Sequence, residues 1–472
     1  MNSTGSTHVS AESALSSLWK SVGLPRAALS MIRFPGVEPV LPSSFAVGTA
    51  AQSSIGAAAL MAAELWALRT GKRQQVCVDM RHAAVEFRSE RYLRVDGVPL
   101  LEAVDKIAGL YRCGQDGWVR IHAGFPHHRD RILALLRCAH DRQAVQTALA
   151  AWQPEAFETA AAESGAVATA LRSFEQWDGH PQGQAVSRLP LISIERIGDA
   201  PPESLPPGER PLSDVRVLDL THVIAGPVCG RTLAVHGADV LLVTAAHRPA
   251  MYPLVIDTGR GKLSTSIDLR NAAGQQTFTD LLREADVIVQ GYRPGSLQNK
   301  GFGPDAAARI RPGIVYVSLS AYGQAGPWAA RRGFDSLVQT ASGFNVAEAH
   351  AAGADKPKVL PAQVLDHASG YFMAFGAMVG LHRRALEGGS WHVQVALAST
   401  GHWLRSLGRV DKGWACHDPH ADEIGDLLEE SDSGFGRLTA VQHAAQLSET
   451  PAKWMRPAVP LGTHAAAWPA RS

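Results

Sequence analysis

The sequence predicts an α/β protein, with one parallel β-sheet covered by helices on both faces and a smaller α+β domain beside it. Short Val-, Ile- and Leu-rich runs alternate with helical patterns over residues 212–405, which is typical of parallel βαβ units. A Pro-rich stretch at residues 201–211 reads as an exposed connection. The preceding residues 45–200 are Ala-rich and helical in pattern, with one strand signal at residues 117–121.

At 472 residues the chain exceeds what one hydrophobic core usually supports, so we expect several structural units. The composition predicts an N-terminal extension, a small-domain-like region with a partial helix repeat, a linker, a Rossmann-like domain and a tail. These span residues 1–44, 45–200, 201–211, 212–405 and 406–472.

Composition argues against several classes of function. The formal net charge is +1, so neither nucleic acid nor an anionic membrane surface is an expected partner. The five cysteines are scattered without CxxC spacing, which favours reduced thiols in a cytoplasmic protein and no zinc site. Residues 1–16 lack the basic start and apolar run of a signal peptide, and no charge-free apolar run is long enough to span a membrane.

Four strands and a helix are predicted within the Rossmann-like region. The strands cover residues 215–220, 238–243, 286–290 and 314–318, and an amphipathic helix covers residues 271–284. Gly-rich turns follow three of the strands, at residues 221–226, 291–295 and 320–326. Ligands of such sheets bind beyond the carboxyl ends of the strands, where these turns lie. From pattern alone, an ordinary α/β domain with turn glycines explains the same residues equally well.

An internal repeat is indicated by two similar stretches. Residues 57–80 and residues 374–397 each read as an Ala-rich helix, a Gly-containing turn and a strand. In this alignment Thr49 stands where the second copy has Asp366, so only the second copy carries an acid. Chance similarity between two Ala-rich helices is the alternative, and the shared order of elements favours duplication.

Asp366 is the candidate catalytic residue. It opens an apolar Ala/Gly-rich helix after the last Gly-rich turn. A carboxylate facing an apolar pocket can act as a covalent nucleophile. The alternative is a helix N-cap, because Asp in that position satisfies free backbone N–H groups.

A series of motifs in residues 211–405 resembles the class III CoA-transferases, the family of formyl-CoA transferase, carnitine CoA-transferase and the α-methylacyl-CoA racemases. The resembling stretches come in the family's order. They are residues 212–223, Ala225-Gly226-Pro227, residues 237–240, Gly261-Lys262-Leu263-Ser264, residues 267–269, 285–287 and 292–295, residues 320–327, Gly333-Phe334-Asp335 and Ser342-Gly343. The resemblance implies that Asp366 is the family's catalytic aspartate and that the protein is an enzyme.

The resemblance also implies an unusual order of parts. Residues 111–121 resemble the family's small domain, which normally follows the catalytic helix, and residues 438–441 and 460–464 resemble its C-terminal end. A catalytic-helix copy and small domain therefore precede the Rossmann-like half, giving a rearranged or duplicated family architecture. The family implies a homodimer, possibly interlocked, and this order leaves the oligomeric state open.

The implied reaction is transfer of coenzyme A from an acyl-CoA to a carboxylic acid, through an aspartyl-acyl anhydride and an aspartyl-CoA thioester at Asp366. Neither a metal nor a nicotinamide cofactor is expected, with CoA or acyl-CoA binding as substrate. The family's CoA contacts fall on Val223, Ile224, Ala225, Ile267, Asp268, Leu269, Arg270, Gly291, Tyr292, Arg293, Asn299, Lys300, Arg332, Gly333, Phe334 and Asp335.

Several positions depart from the family pattern. Leu242 and Thr244 stand where many members have Lys and Glu, and Asn299 stands where Arg is common; Arg248 and Lys300 are candidates to replace those charges. Phe334 stands where the racemase branch has a proton-transferring His, which weakens racemisation. An acyl-CoA racemase or isomerase and a CoA-binding pseudoenzyme remain the alternatives.

Overall fold

The computed structural model describes residues 8–100, 104–205 and 208–471. The α-helices are α1 Ala11–Ser21, α2 Val47–Thr70, α3 Met80–Glu86, α4 Ser89–Tyr92, α5 Pro126–Leu136, α6 Arg142–Leu149, α7 Pro154–Glu163, α8 Phe174–Gly179, α9 Pro181–Val186, α10 Ala225–Val235, α11 Tyr252–Gly259, α12 Ala272–Arg283, α13 Pro304–Ile310, α14 Asp335–Ala341, α15 Phe344–Ala351, α16 Val364–Glu387 and α17 Leu397–Ser406. The strands are β1 Ile32–Arg33, β2 Val76–Val78, β3 Arg94–Val95, β4 Val98–Pro99, β5 Gly109–Cys113, β6 Gly117–Ile121, β7 Ala168–Ala170, β8 Ile192–Gly198, β9 Arg216–Leu220, β10 Asp239–Thr244, β11 Leu263–Ser266, β12 Val287–Gln290, β13 Val315–Ser320, β14 Ser390–Ala396, β15 Leu428–Ser433, β16 Gly436–Val441 and β17 Ala445–Leu447.

The largest sheet has seven strands in the order β11-β10-β9-β12-β13-β14-β8. The six strands from β11 to β14 are parallel, and β8 closes one edge antiparallel to β14. Counted from β9, the parallel strands have the order 3-2-1-4-5-6 of a doubly wound sheet. The predicted α/β class with a parallel sheet is confirmed, and the four predicted strands lie within two residues of β9, β10, β12 and β13.

Strand β8 was missing from the sequence prediction. Its residues alternate between apolar and polar, and they lie in a region that was interpreted as mainly helical. Because β8 precedes residue 200, the expected boundary there divides the sheet from its own edge strand. The described linker residues, 201–205 and 208–211, run from β8 to the central strand β9, while Pro206 and Pro207 lie outside the described residues.

Helix α16 connects β13 to β14 and lies directly on the sheet. A side-chain carbon at Gly380 would stand 2.7 Å from Val315 Cγ1, and one at Gly376 would stand 2.4 Å from Val393 Cγ1. Glycine at these two positions lets the helix backbone approach the sheet. All residues from Val364 to Leu381 are buried, so the amino end of α16 is held rigidly in the main core.

The two helices that the repeat predicts are both present. Helices α2 and α16 each have 24 residues, and each ends at a glycine with positive φ, 73° for Gly71 and 69° for Gly388. The strands around them also correspond: β2 pairs parallel with β1 and antiparallel with β17, as β14 pairs with β13 and β8. Helix α2 packs against α16 in the shared core.

A smaller α+β unit contains the antiparallel sheet β5-β6-β7 and helices α5 to α7, with Tyr111, Val119 and Phe157 in its own core. The predicted strand at residues 117–121 is β6. The residues before the linker, 8–200, are called the first region. Strands of the predicted tail pair with strands of this region: β17 pairs with β2 and β16 with β3. Among the described helices, none combines the length and apolarity needed to cross a membrane.

Candidate active site

Asp366 lies in the first turn of α16 at the wall of a cavity of about 490 Å³. The cavity lies at the carboxyl edge of the sheet, where the segments after β9, β12 and β13 meet. This is where a doubly wound sheet binds its ligands. Many of the residues predicted as cofactor contacts line it together with Asp366: Val223, Ile224, Ala225, Gly291, Tyr292, Arg293, Arg332, Gly333 and Phe334.

Asp335 caps the helix that carries Asp366. Its Oδ2 accepts the backbone N–H groups of Leu365 at 2.8 Å and of Asp366 at 3.1 Å. Gln363, the N-cap residue, makes no side-chain capping bond. Asp335 is therefore the cap of this helix. The carboxylate of Asp366 accepts no hydrogen bond from any described residue.

The environment of Asp366 favours its protonated form. Burial raises the pKa of Asp366 well above its usual range, and the negative charges of Asp335 and Glu90 raise it further. Burial also raises the pKa of Asp335. Glu90 belongs to α4 in the first region, and its Oε2 lies 3.2 Å from Nε2 of His367. When Asp366 does ionise, it is therefore a more basic nucleophile than an ordinary aspartate.

Helix α10 presents its amino end to the same cavity. Ile224 and Ala225 line the cavity, and no side chain caps the helix at Ile224. The first N–H groups of a helix have no intrahelical acceptor and carry partial positive charge. They are suited to a developing oxyanion. The N–H of Gly323, in the turn after β13, is already donated to Oγ of Ser320 at 3.2 Å.

A small recess extends the cavity on the side of β10 and β11. The predicted contacts Ile267, Asp268, Leu269, Arg270 and Lys300 line it. Tyr292 and Arg248 line both spaces, and the Arg248 guanidinium lies 4.3 Å from the centre of the Tyr292 ring. Arg270 is exposed and paired with Asp268 at 2.7 Å. Asn299 is exposed and lies outside both spaces.

Residues that sequence reasoning missed come mainly from the first region. Phe125, His127 and His128 line the cavity opposite the Rossmann-like half. His122 stacks on Phe334 with ring centres 3.7 Å apart and an angle of 1° between the planes. Burial, followed by nearby positive charges, lowers the pKa of His128 to about 3, so this imidazole is neutral at pH 7. The Gly124-Phe125-Pro126 turn was the available signal, but nothing local connects it to Asp366.

Two other histidines, His222 and His367, follow β9 and Asp366 in the sequence. His222 lines the cavity, and burial followed by the charge of Arg248 lowers its pKa to about 4. His367 stacks on Phe87 with ring centres 5.3 Å apart, and it contacts Glu90. His367 is thus held by the first region and is not among the residues that line the cavity.

Comparison with known proteins finds similarity to CoA-transferases. Residues 212–413 match the model of CoA-transferase family III. An acyl-CoA transferase of Gibberella moniliformis is 28% identical over 423 residues, covering 79% of this chain and 73% of that protein. A probable fatty acyl-CoA transferase of Mycobacterium tuberculosis is 33% identical over 201 residues, covering 40% of this chain and 50% of that protein.

A crystal structure of a Mycobacterium tuberculosis protein is 32% identical and covers 42% of this chain and 59% of its own chain, with a TM-score of 0.39. This chain therefore spans about half the length of the mycobacterial proteins and about three quarters of the Gibberella protein. The matched residues 212–413 contain six of the seven strands of the large sheet and Asp366, and this part of the chain is similar to the class III CoA-transferases.

Proposed function

We propose that this protein transfers coenzyme A from an acyl-CoA to a carboxylic acid, with Asp366 as the covalent nucleophile. The observation that carries the proposal is the position of the Asp366 side chain. It lines the cavity and is not needed as a helix cap, because Asp335 caps the helix. The family match and the names of the relatives support the same reaction class.

The reaction proceeds through two kinds of covalent intermediate. The Asp366 carboxylate attacks the thioester carbonyl, the C–S bond breaks, and CoA leaves as a thiolate with formation of a mixed anhydride. The thiolate attacks the aspartyl carbonyl and releases the donor acid, leaving an aspartyl-CoA thioester. The acceptor carboxylate attacks that carbonyl and again expels the thiolate, which then attacks the acceptor's acyl carbonyl and frees Asp366. The amino end of α10 stabilises the oxyanions.

Coenzyme A runs from the recess beside β10 to Asp366. Tyr292 and Arg248 lie at the junction of the two spaces, and Lys300 lines the recess. Arg248 and Lys300 supply positive charge for the phosphates where Leu242 and Thr244 replace the usual Lys and Glu. None of the four covalent steps requires a metal or nicotinamide, and dialysis against a chelator is expected to leave turnover unchanged.

Covalent trapping tests the proposal. Wild-type protein, Asp366→Ala and the control Thr49→Ala are incubated with a panel of acyl-CoAs and hydroxylamine, followed by intact-mass and peptide analysis. Hydroxylamine converts an aspartyl anhydride or thioester to a hydroxamate. We expect a hydroxamate at residue 366 in wild type and Thr49→Ala, and none in Asp366→Ala. Turnover without any adduct at residue 366 would contradict the mechanism.

Two outcomes would favour the alternatives. Exchange of the α-proton with solvent deuterium, without transfer of CoA, would identify a racemase or isomerase. Binding of CoA with neither adduct nor turnover would identify a pseudoenzyme.

We infer a cytoplasmic location from the scattered cysteines, which the structure leaves as free thiols. The homodimer that the family implies is a further proposal. Light scattering during gel filtration measures it directly, and a mass of 50.3 kDa, that of one chain, would contradict it.

A further inference from the structure

A second cavity of about 660 Å³ adjoins the one that contains Asp366. The two cavities share Arg293, Arg331 and Arg332 as a common wall. The far side of the second cavity comes from the first region and includes Arg131 of α5 and Gly165 after α7. Four guanidinium groups, from both halves of the chain, thus surround one space.

Three of the four guanidiniums lack a carboxylate partner among the described residues. Arg131 and Arg332 donate from Nη1 to the same oxygen, the carbonyl of Gly165, at 2.8 and 2.7 Å. Arg293 forms neither a hydrogen bond nor an ion pair there. Arg331, by contrast, lies 3.8 Å from Glu158 and 4.1 Å from the centre of the Trp328 ring.

The arrangement is unfavourable without an anion. Like charges repel each other, and the repulsion is screened least at Arg331 and Arg332, which are half-buried, and more at Arg131 and Arg293, which are exposed. Burial, and then the charges of Arg293 and Arg131, lower the pKa of Arg332. The field reaches the catalytic cavity, since Arg131 and Arg332 are among the charges that, after burial, lower the pKa of His127. Glu163 lines the second cavity but is exposed and pairs with none of the arginines.

Gly165 holds the cluster together. Its φ is +72°, and a side-chain carbon there would stand 2.6 Å from Nη1 of Arg131 and 3.1 Å from Nη1 of Arg332. Only glycine therefore allows both guanidiniums to reach its carbonyl. Guanidinium forks match a carboxylate in two hydrogen bonds, so an acid group fits between them.

We propose that the second cavity binds the remote carboxylate of the acid substrate, so that the preferred acceptors are dicarboxylic acids. This rests on the proposed CoA transfer. A phosphate of coenzyme A presents the same anionic chemistry. The position favours the acid, because the second cavity has no lining residue in common with the recess beside β10 and lies across the shared arginine wall from it.

Binding tests the proposal without relying on turnover. Malonate, succinate and glutarate are compared with propionate, butyrate and valerate, and with adenosine 3′,5′-bisphosphate, by calorimetry on the full chain. We expect at least one dicarboxylate to bind wild type about tenfold or more tighter than the monocarboxylate of equal length. Arg131→Gln is expected to remove that preference and to leave bisphosphate binding unchanged.

Two further variants keep the test decisive. Arg129→Gln changes a neighbouring arginine that pairs with Asp130 at 2.8 Å outside the cavity, and it should bind all probes like wild type. Gly165→Ala should weaken dicarboxylate binding as Arg131→Gln does. Loss of bisphosphate binding alone in Arg131→Gln, or no dicarboxylate preference in wild type, would overturn the proposal.

Turnover separates this inference from the proposed function. If CoA transfer occurs, Arg131→Gln should raise KM for the dicarboxylate without changing KM for the acyl-CoA. If no hydroxamate forms at residue 366 but the dicarboxylate preference depends on Arg131, the subsite stands and the transfer reaction falls. If hydroxamate forms and the preference is absent, the transfer reaction stands and the subsite falls.

Discussion

Helices α2 and α16 have the same length and similar flanking strands, and only α16 carries an acid in its first turn. Each N-terminus is held by a carboxylate from another segment: Glu38 accepts the N–H of Thr49 at 2.7 Å, and Asp335 accepts the N–H of Asp366 at 3.1 Å. The two positions differ in what surrounds the side chain. Thr49 is 1% exposed in the core, whereas Asp366 is 7% exposed and lines a cavity.

The difference comes from the strands beside each helix. β13 and β14 belong to the seven-stranded sheet, whose loops converge beyond α16, whereas β1 and β2 form a three-stranded sheet with β17. Both helices have 24 residues and pack in one core. Asp366 lines a cavity because the parallel sheet brings several loops to the N-terminus of α16.

Moving the acid from α16 to α2 tests whether the surroundings of residues 366 and 49 are equivalent, and it has the largest expected effect. Asp366→Asn is expected to lower kcat by about 10⁴-fold or more, since it removes the covalent nucleophile that we propose. Thr49→Asp added to Asp366→Asn should restore nothing, because no comparable set of loops surrounds residue 49. Steady-state turnover measures both, and recovery of activity in the double variant would show that the two settings are equivalent.

The contact between the two regions should be worth several kcal/mol. Glu86 of α3, 3% exposed, accepts hydrogen bonds from Tyr371 of α16 and, at 2.5 Å, from the N–H of Ala444, and it lies 3.6 Å from Arg231 of α10. Glu86→Ala is expected to lower the free energy of unfolding by about 3–5 kcal/mol, because it removes a buried carboxylate that lies 3.0 Å from Nδ1 of His443 and accepts the N–H of Ala444, while Arg231 keeps only Asp257 as a carboxylate partner among the described residues.

Urea unfolding measures the effect of Glu86→Ala. Glu430→Ala is the matched control, since Glu430 pairs with Arg437 at 2.8 Å but both side chains are more than half exposed. That change should cost less than about 1 kcal/mol. Equal losses in the two variants would show that the buried cluster does not join the regions.

The pH dependence of stability should distinguish Asp366 from Thr49. Because the pKa of Asp366 is raised on folding, its contribution to stability is fully present at acid pH and is lost as the pH rises through the folded-state pKa. Asp366→Asn should therefore be more stable than wild type at pH 7, by about 1–2 kcal/mol. The advantage should disappear near pH 3, and Thr49→Ala should show no such trend.

The smallest expected effect is a shift of the pH–rate profile. Glu90 is one of the charges that raise the pKa of Asp366. In Glu90→Gln the acid limb of kcat/KM is expected to move to lower pH, because the nucleophile ionises more easily. Glu423→Gln, a change of an exposed carboxylate, serves as the control. An unchanged profile in Glu90→Gln would show that the charge of Glu90 does not affect the ionisation of Asp366.

Local patterns predicted much of the sheet and the position of Asp366. Short apolar runs between turn residues form strands β9, β10, β12 and β13, and such runs can be predicted from the local sequence alone. β8 was missed because Glu195 and Arg196 interrupt its alternation of apolar and polar residues and because it follows a mainly helical region. The capping role of Asp335 was also missed, since it depends on a bond to a helix that starts about thirty residues later.

Residue order and short-range periodicity were enough to predict the fold class, the resemblance to CoA-transferase family III and the position of Asp366. The residues that surround Asp366 depend on tertiary packing. Phe125 and His127 line the cavity, Glu90 adds its charge, and Arg131 closes the adjoining space, all from the first region. These residues lie far from Asp366 along the chain, and only the packing of the first region against the Rossmann-like half brings them to the two cavities, so no local stretch of the sequence predicts them.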